Sequence, residues 1–574
     1  MRSFFLWEII NGIRRLLSPR DKWCLAGIVL LLCIGAMMEI AGIGLLLPLV
    51  AVFTKPELLE QNAILKCFRQ IFSWADEKEF MLICCGCIVC MFTVKNLWLF
   101  FTMRLYTSFT FRRLGDIGTR LYCVFLSGKY RIFQEYGKVE LQTILNKIDQ
   151  LGFMVLMPFM VLAVDFLTIF FIVGMLLFTI PKVVISCTLI LGAGSLLIYF
   201  PLRKFNWSLG EGLNLIYSRL NKISLYSLED IKTVKVLGLE KFFTAAYGNV
   251  RKERSLLETN YYLTGQIPRL VLETLAVIAV LAIFAFMLWR GEPIGTVILS
   301  FSLLVAAMSR LLPAISRINY SLTTIRVGAP IFREIIAAIR WEQEELGDRE
   351  EKLSFNEEIK VENLSFSYPG SDRKVIDGLN FKLERNSSLA VTGPTGGGKS
   401  TLIDLLLGLQ LPQTGTISVD GKDISLSLGS WRRMIGFVPQ HIFLADDSIA
   451  ANVSMGNTPD KIDRHRVREV LRIAQLESFV DSLPEGMDTL IGDNGIRLSG
   501  GQRQRLGIAR ALYRDPEIII FDEATSALDT ETEEELIKAL DGLYGQKTLI
   551  MVAHRLSTVE KCEQRIEIKP AANE

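Results

Sequence analysis

Up to about Leu312 the chain alternates long apolar runs with polar stretches; from Lys360 onward, short β-rich runs alternate with helices. A helix that crosses a bilayer needs about 20 mainly apolar residues. Six stretches meet that length or come close: Trp23–Phe53, Phe80–Met103, Phe153–Phe178, Val183–Phe200, Val271–Trp289 and Gly295–Leu312. The connections 104–152 and 201–270 are long, polar and rich in Lys and Arg, whereas 179–182 and 290–294 are very short. Basic segments stay on the cytoplasmic side. The N-terminal segment, with Arg14, Arg15, Arg20 and Lys22, is therefore inside, and six spans return the chain there. Phe4, Phe5, Trp7, Ile9, Ile10, Ile13, Leu16 and Leu17, mixed with Arg14 and Arg15, predict an amphipathic helix lying along the membrane surface. Within segment 54–79, Leu58, Leu59, Ile64, Leu65, Phe68, Ile71, Phe72 and Trp74 recur at helical spacing. They predict a short helix, either at the outer leaflet or capping its own domain.

Charged residues inside spans are costly and often functional. The candidates are Glu39, Lys95, Asp165, Glu273 and Arg310, with Arg269 and Arg317 at helix edges. Arg310 and Arg317 are seven residues apart, which on a helix is one face. That face is a candidate wall of a polar cavity for an anionic head group. The alternative is that each cation pairs with Glu39, Asp165 or Glu273 as structural glue.

Composition adds little beyond this. Half of the 574 residues are hydrophobic and the mean hydropathy is +0.34, high for a soluble protein. The 63 basic and 61 acidic residues leave a formal charge of +2, which gives no reason to expect nucleic acid as a partner. Cys84, Cys85, Cys87 and Cys90 cluster in one apolar run without a histidine nearby, as small apolar residues of a membrane helix do. No cleavable signal peptide is evident.

The second half carries the chemistry. Gly393-Pro394-Thr395-Gly396-Gly397-Gly398-Lys399-Ser400-Thr401 fits G-x-x-x-x-G-K-[ST], a loop that wraps a nucleoside triphosphate. Its glycines let backbone N–H groups turn toward the phosphates. Lys399 supplies charge to the β- and γ-phosphates and the Ser400 hydroxyl is a Mg²⁺ ligand. Ser388–Thr392 before it reads as a buried strand, and Thr401–Leu407 after it as a helix whose N-terminus faces the phosphates. Tyr368 precedes the loop and is a candidate to stack on adenine, while Gln440 is a candidate contact to Mg²⁺ or the attacking water. Leu498-Ser499-Gly500-Gly501-Gln502 makes a second anion-binding helix start. Asp522, ending the apolar run Ile518–Phe521, is placed to hold Mg²⁺ through water, and Glu523 to act as general base. Ser526–Asp529 follows directly, and His554 sits at the tip of the strand Leu549–Ala553, where a ring nitrogen reaches the γ-phosphate.

Together these motifs resemble the nucleotide-binding domain of ABC transporters over 360–568, in that family's order and spacing, with Leu498–Gln502 its verbatim signature. Six spans ahead of one such domain resemble the exporter half-transporter. The expected fold is an all-α six-helix transmembrane domain (1–340), a linker (341–356) and an α/β P-loop domain (357–574). The resemblance implies a homodimer that sandwiches two ATP molecules with Mg²⁺. Each ATP is held by the phosphate loop of one chain and Ser499, Gly500, Gly501 and Gln502 of the other, with Asp529 also at the site. It implies ATP hydrolysis coupled to transport, in a bacterial inner membrane with the nucleotide domain in the cytoplasm. The long loops then hold helix extensions ending in crosswise helices, expected at Gly137–Asp149 and Ser227–Leu239. Asp493 stands where exporters often have glutamate, and the chain stops soon after Lys569, so a late strand and helix are expected to be missing.

The membrane half is similar, more loosely, to the PglK-type lipid-linked oligosaccharide flippases of bacterial N-glycosylation. The similarity rests on the helix after the first span, Pro268-Arg269-Leu270, Arg310-Leu-Leu-Pro313 with Arg317, and Gly347 with Lys352–Asn356 in the linker. It implies a polyprenyl-diphosphate glycan as substrate, its pyrophosphate taken by Arg269, Arg310 and Arg317. A peptide or multidrug exporter is the alternative within transport. A soluble-type ATPase acting on DNA or ribosomes is disfavoured by the six spans, and a regulatory membrane protein by the intact Glu523.

Overall fold

The computed structural model describes residues 5–44, 77–179, 181–291, 294–341, 352–371, 373–492, 495–523, 538, 540–552 and 560–569. The expected helix at 58–74, most of the linker, Asp493, Asp529 and His554 lie outside them. The chain forms two compact units, Met1–Gly128 with Ile132–Glu344, and Glu345–Glu574 with Lys129–Arg131.

The first unit is helical. Helix α1 (Phe5–Leu16) is followed by α2 (Pro19–Gly44), α3 (Glu77–Ser127), α4 (Tyr130–Asn146), α5 (Met157–Thr179), α6 (Pro181–Glu229), α7 (Ile231–Val236), α8 (Glu240–Trp289) and α9 (Ile294–Arg340). Five helical stretches among the described residues are long and apolar enough to cross a membrane, and α9 covers the sixth apolar run of the sequence. Helices α3, α6, α8 and α9 have 51, 49, 50 and 47 residues. At about 1.5 Å per residue they are roughly 70–77 Å long, more than twice the hydrocarbon core, so each continues well into water. Pro201, Pro268, Pro313 and Pro330 lie inside these helices, each removing one backbone donor from the helical ladder.

The stretches expected to hold crosswise helices, Gly137–Asp149 and Ser227–Leu239, contain the part of α4 beyond Gly137 and all of α7. Gly137 breaks α4 with φ 70° and ψ 157°, a conformation open to glycine, so the segment beyond it takes a new direction. Asp230 caps α7 by accepting from the Thr233 backbone N–H at 3.3 Å. After one turn, Ile148–Leu151, the chain makes a π-helical turn, Gly152–Leu156, before α5 begins. Ile9 and Ile13 of α1, Leu121 of α3, Val155 of that turn and Ile335 of α9 share one buried core.

A polar cluster sits inside this helical unit. Lys147, 1% exposed, donates to both Glu334 carboxylate oxygens at 2.8 and 2.9 Å and to the Ser218 hydroxyl at 3.3 Å. Glu334 also accepts from the Asn214 side chain at 3.1 Å. A buried ammonium is tolerated because its donors are met this way.

The second unit holds two sheets. An antiparallel sheet has the order β2–β1–β4–β5, from Ile376–Glu384, Glu358–Phe366, Thr414–Val419 and Lys422–Asp423. A parallel sheet has the order β6–β7–β8–β3–β9, from Ile435–Val438, Ile518–Asp522, Thr548–Val552, Ser388–Thr392 and Gln564–Glu567. Strands β3 and β8 are buried at every position, as parallel strands covered on both faces are. Helix α10 (Lys399–Leu406) buries Leu402, Ile403, Leu405 and Leu406 in one core with residues of both sheets. Helix α11 (Gly500–Tyr513) joins the other core through Leu506, Ile508 and Leu512.

Candidate nucleotide site

In a parallel sheet every strand ends at the same edge, and in α/β folds ligands bind outside those carboxyl ends. Strand β3 runs into the glycine loop, β7 ends at Asp522 with Glu523 next, and β6 ends two residues before Gln440. Strand β8 ends at Val552, two residues before His554. The topology thus gathers at one edge described residues spread over 130 positions, from Gly393 to Glu523.

The loop is built to admit phosphates. Gly393, Gly396 and Gly398 have φ of 149°, 75° and 103°. A Cβ on Gly393 would meet the Ile568 carbonyl oxygen at 2.5 Å, so only glycine fits there. Gly398 is the N-cap of α10, leaving that helix's first N–H groups without a side-chain cap and open to an anion. Lys399 is buried and donates to the Gly393 and Pro394 carbonyls at 3.0 and 3.1 Å, which holds its charge at the mouth of the loop. Ser400, Pro394, Thr395 and Gly396 are exposed, while Gly397 and Thr401 are buried. These features fit a nucleotide triphosphate.

The acidic edge has its own geometry. Gln440 Nε2 donates to Glu523 Oε2 at 2.9 Å. An amide nitrogen is not a metal ligand, so any contact of Gln440 with Mg²⁺ must use its oxygen. Glu523 takes φ 49°, rare for a side-chain-bearing residue, and its N–H donates to the Val552 carbonyl at 3.2 Å. Burial pushes the Asp522 carboxyl up, the Glu523 charge adds to this, and Lys399 opposes it. Asp404, on α10, was missed by the sequence reading: burial, with the Asp522 charge adding, pushes its carboxyl up to about 6. Its signal in the sequence is an acid five residues past the loop lysine.

Other candidates stand differently. Tyr368 Oη shares a hydrogen bond with Thr401 Oγ1 at 3.0 Å, and its ring packs edge-on against Phe366, centroids 5.1 Å apart. Ser499 and Gln502 form a reciprocal capping box at the start of α11, with distances of 3.2 and 2.9 Å. Gln502 therefore spends its side chain on its own helix. Among the described residues no hydrogen bond joins Ser499–Gln502 to the phosphate loop.

In the helical unit, Arg317 is bound in an ion pair with Asp165, through contacts of 2.6, 3.0 and 3.0 Å. The Asp165 side chain is 2% exposed and that of Arg317 54%. This is the pairing the sequence left as the alternative, so Arg317 meets any anion only in competition with Asp165. Arg269 is exposed on α8. Arg310 lies on α9, and its side chain falls outside the described residues.

Comparison with known proteins agrees with this geometry. The family model described as "ABC transporter" matches residues 376–526. The "ATP-dependent lipid A-core flippase" of Burkholderia orbicola is 33% identical over 443 residues, 75% of this chain and 72% of that protein. Flippases of the same name from Aromatoleum aromaticum and Pseudomonas fluorescens are 37% and 34% identical over 325 residues, 56% of this chain. In these two the match spans about half the length of the relative, 53%. Among solved structures, a bacterial Atm1-family ABC exporter with ATP bound shares the fold, with a TM-score of 0.78 and 20% identity over 96% of this chain and 94% of that one. With its long apolar helices, the chain is a multi-pass inner-membrane protein with a cytoplasmic nucleotide-binding domain. It belongs to the ABC transporter family.

Proposed function

We propose that the chain is one half of a homodimeric, ATP-hydrolysing exporter or flippase. Its leading substrate is a lipid-linked oligosaccharide, a polyprenyl-diphosphate glycan, or a similar amphipathic lipid. The observation that carries the reading is the glycine loop, Asp522, Glu523 and Gln440 converging on one sheet edge of a chain that also carries long apolar helices. We assign 1–340 to the transmembrane domain, 341–356 to the linker and 357–574 to the nucleotide-binding domain.

Bound Mg²⁺ supplies charge neutralisation on the phosphates; Ser400, Gln440 and Asp522 are the residues that would hold it. Lys399 and the loop amides of Gly393–Thr401 orient the phosphates, and Tyr368 borders the base. Glu523 takes the proton of the attacking water, oriented by its bond from Gln440, and His554 contacts the γ-phosphate. Ser499, Gly500, Gly501, Gln502 and Asp529 complete the site across the dimer. Arg269, Arg310 and Arg317 remain the proposed substrate cations. The names of the flippase relatives favour a lipid over a peptide.

The test is ATPase stimulation, with fluorescence flipping, in proteoliposomes offered lipid-linked sugars, peptides and drugs. Stimulation by lipid-linked sugars alone is expected. Stimulation by peptides or drugs alone would replace the substrate class, and ATPase activity in monomers at full rate would remove the dimer.

A further inference from the structure

The helical unit contains a cavity of about 880 Å³ between α1, α6 and α9 that none of the roles above uses. Six cations line it: Arg15, Arg203, Lys204, Arg326, Arg333 and Arg340. Only two acids, Glu8 and Glu211, line it with them, and both are engaged. Glu8 receives Arg333 through both oxygens at 2.8 and 2.6 Å, and Glu211 accepts from Trp207 Nε1 at 2.7 Å. Among the described residues no carboxylate lies within ion-pair distance of Arg15, Arg203, Lys204 or Arg340. The cavity thus gathers positive charge that its own walls do not neutralise.

Its depth is set by the fourth apolar run. Arg326 donates to Tyr199 Oη at 2.7 Å and to the Arg203 carbonyl at 3.2 Å. Tyr199 is the last residue but one of that run, and Arg203 and Lys204 follow at its cytoplasmic end. Helix α1 lines one side of the cavity with Trp7, Glu8, Asn11, Gly12 and Arg15. It approaches α9 so closely that a Cβ on Gly12 would meet Phe332 Cζ at 2.4 Å. Trp7, 56% exposed, and Trp207, stacked under Arg333 at 4.6 Å, supply the amphipathic rings typical of a head-group layer. Basic pockets between helices on the cytoplasmic side take anionic head groups.

We propose that this cavity binds the phosphate of an anionic phospholipid of the cytoplasmic leaflet, at a site separate from the transport pathway. The inference rests on the membrane placement of the chain and not on the identity of the transported substrate. Free phosphate shares the recognition chemistry; the interfacial depth and the tryptophans favour the lipid.

Native mass spectrometry of the full chain from mixed micelles of phosphatidylglycerol and phosphatidylcholine tests it. Selective retention of phosphatidylglycerol is expected. The double variant Arg203→Gln/Lys204→Gln should weaken it about thirtyfold, from roughly 1 kcal/mol per basic residue. Arg15→Gln, on an exposed position of α1, should weaken it about fivefold and guards against misfolding of the double variant. Arg219→Gln, on α6 but outside the cavity, should leave retention unchanged. Equal retention of the two lipids, no loss in the variants, or the same loss in Arg219→Gln would overturn the site. Displacement of phosphatidylglycerol by 10 mM-scale inorganic phosphate, roughly ten times a weak millimolar site, would overturn the lipid as occupant.

Discussion

Gln440 donates its side-chain amide to Glu523 across the ends of adjacent strands β6 and β7, at 2.9 Å. The contact joins the two residues best placed to govern water at the sheet edge. It also orients a carboxylate whose backbone already sits in an unusual conformation at φ 49°. Glu523→Gln is expected to bind ATP normally and to lose about a hundredfold to ten-thousandfold in hydrolysis, the span of a general base. Gln440→Ala should lose less, up to about a hundredfold, because it misorients rather than removes that base. Single-turnover ATPase beside nucleotide-binding titrations separates the two effects; unimpaired turnover in Glu523→Gln would assign the base elsewhere.

The Arg317–Asp165 pair makes a second expectation. Asp165 is the deeply buried member, so Arg317→Ala removes the guanidinium that meets this carboxylate through three contacts. A loss of about 3–5 kcal/mol is expected from breaking such a pair. The double variant Arg317→Leu/Asp165→Leu should recover much of it. Thermal melts in detergent measure this, and flipping assays on the double variant then isolate any role in transport. Full transport by a stable double variant would leave the pair purely architectural.

Lys147 and Glu334 offer the parallel case outside the apolar runs. Glu334→Ala strands a 1% exposed ammonium and should cost about 3–5 kcal/mol. Replacing both, as Lys147→Met/Glu334→Leu, should cost less than that single change. A double variant that melts below Glu334→Ala would count against the burial penalty as the cause.

Asp404 predicts a pH dependence. Its folded carboxyl titrates at about 6, raised by burial and by Asp522. An unfolded aspartate titrates at about 3.9. The folded state therefore holds the proton more tightly, and the group costs stability at pH 7. That cost fades as pH falls through 6 and is gone below the unfolded value. With allowance for solvent screening it amounts to about 1–2 kcal/mol. In EDTA and without nucleotide, Asp404→Asn should melt above the parent at pH 7, with the gap shrinking by pH 5. A gap independent of pH would assign the effect to something other than titration.

What the sequence makes legible is what chemistry demands of neighbouring residues. The phosphate loop works only as a contiguous run between a strand and a helix, and Gly393–Thr401 announces itself with Ser388–Thr392 before and α10 after. The apolar runs are legible for the same reason, since a bilayer is crossed by consecutive residues. Their full helices are not, because the polar extensions of α3, α6, α8 and α9 carry no such run. Pairings across the fold are equally hidden. Lys147 and Glu334 are 187 positions apart, and nothing local to either names the other. Arg317 was legible as a charge at a helix edge, yet choosing between Asp165 and an anionic ligand required the packing of α5 against α9.

The π-helical turn at Gly152–Leu156 carries one more implication. Such a turn is an α-helix with one residue too many, so it advances every later side chain by about 100° around the axis. Asp165 lies beyond it, on the segment whose angular phase it sets. Removing a single residue there would let the coil close smoothly while swinging that carboxylate a quarter-turn from Arg317. The chain's bookkeeping of residues ahead of α5 is thus part of how its buried acid finds its cation.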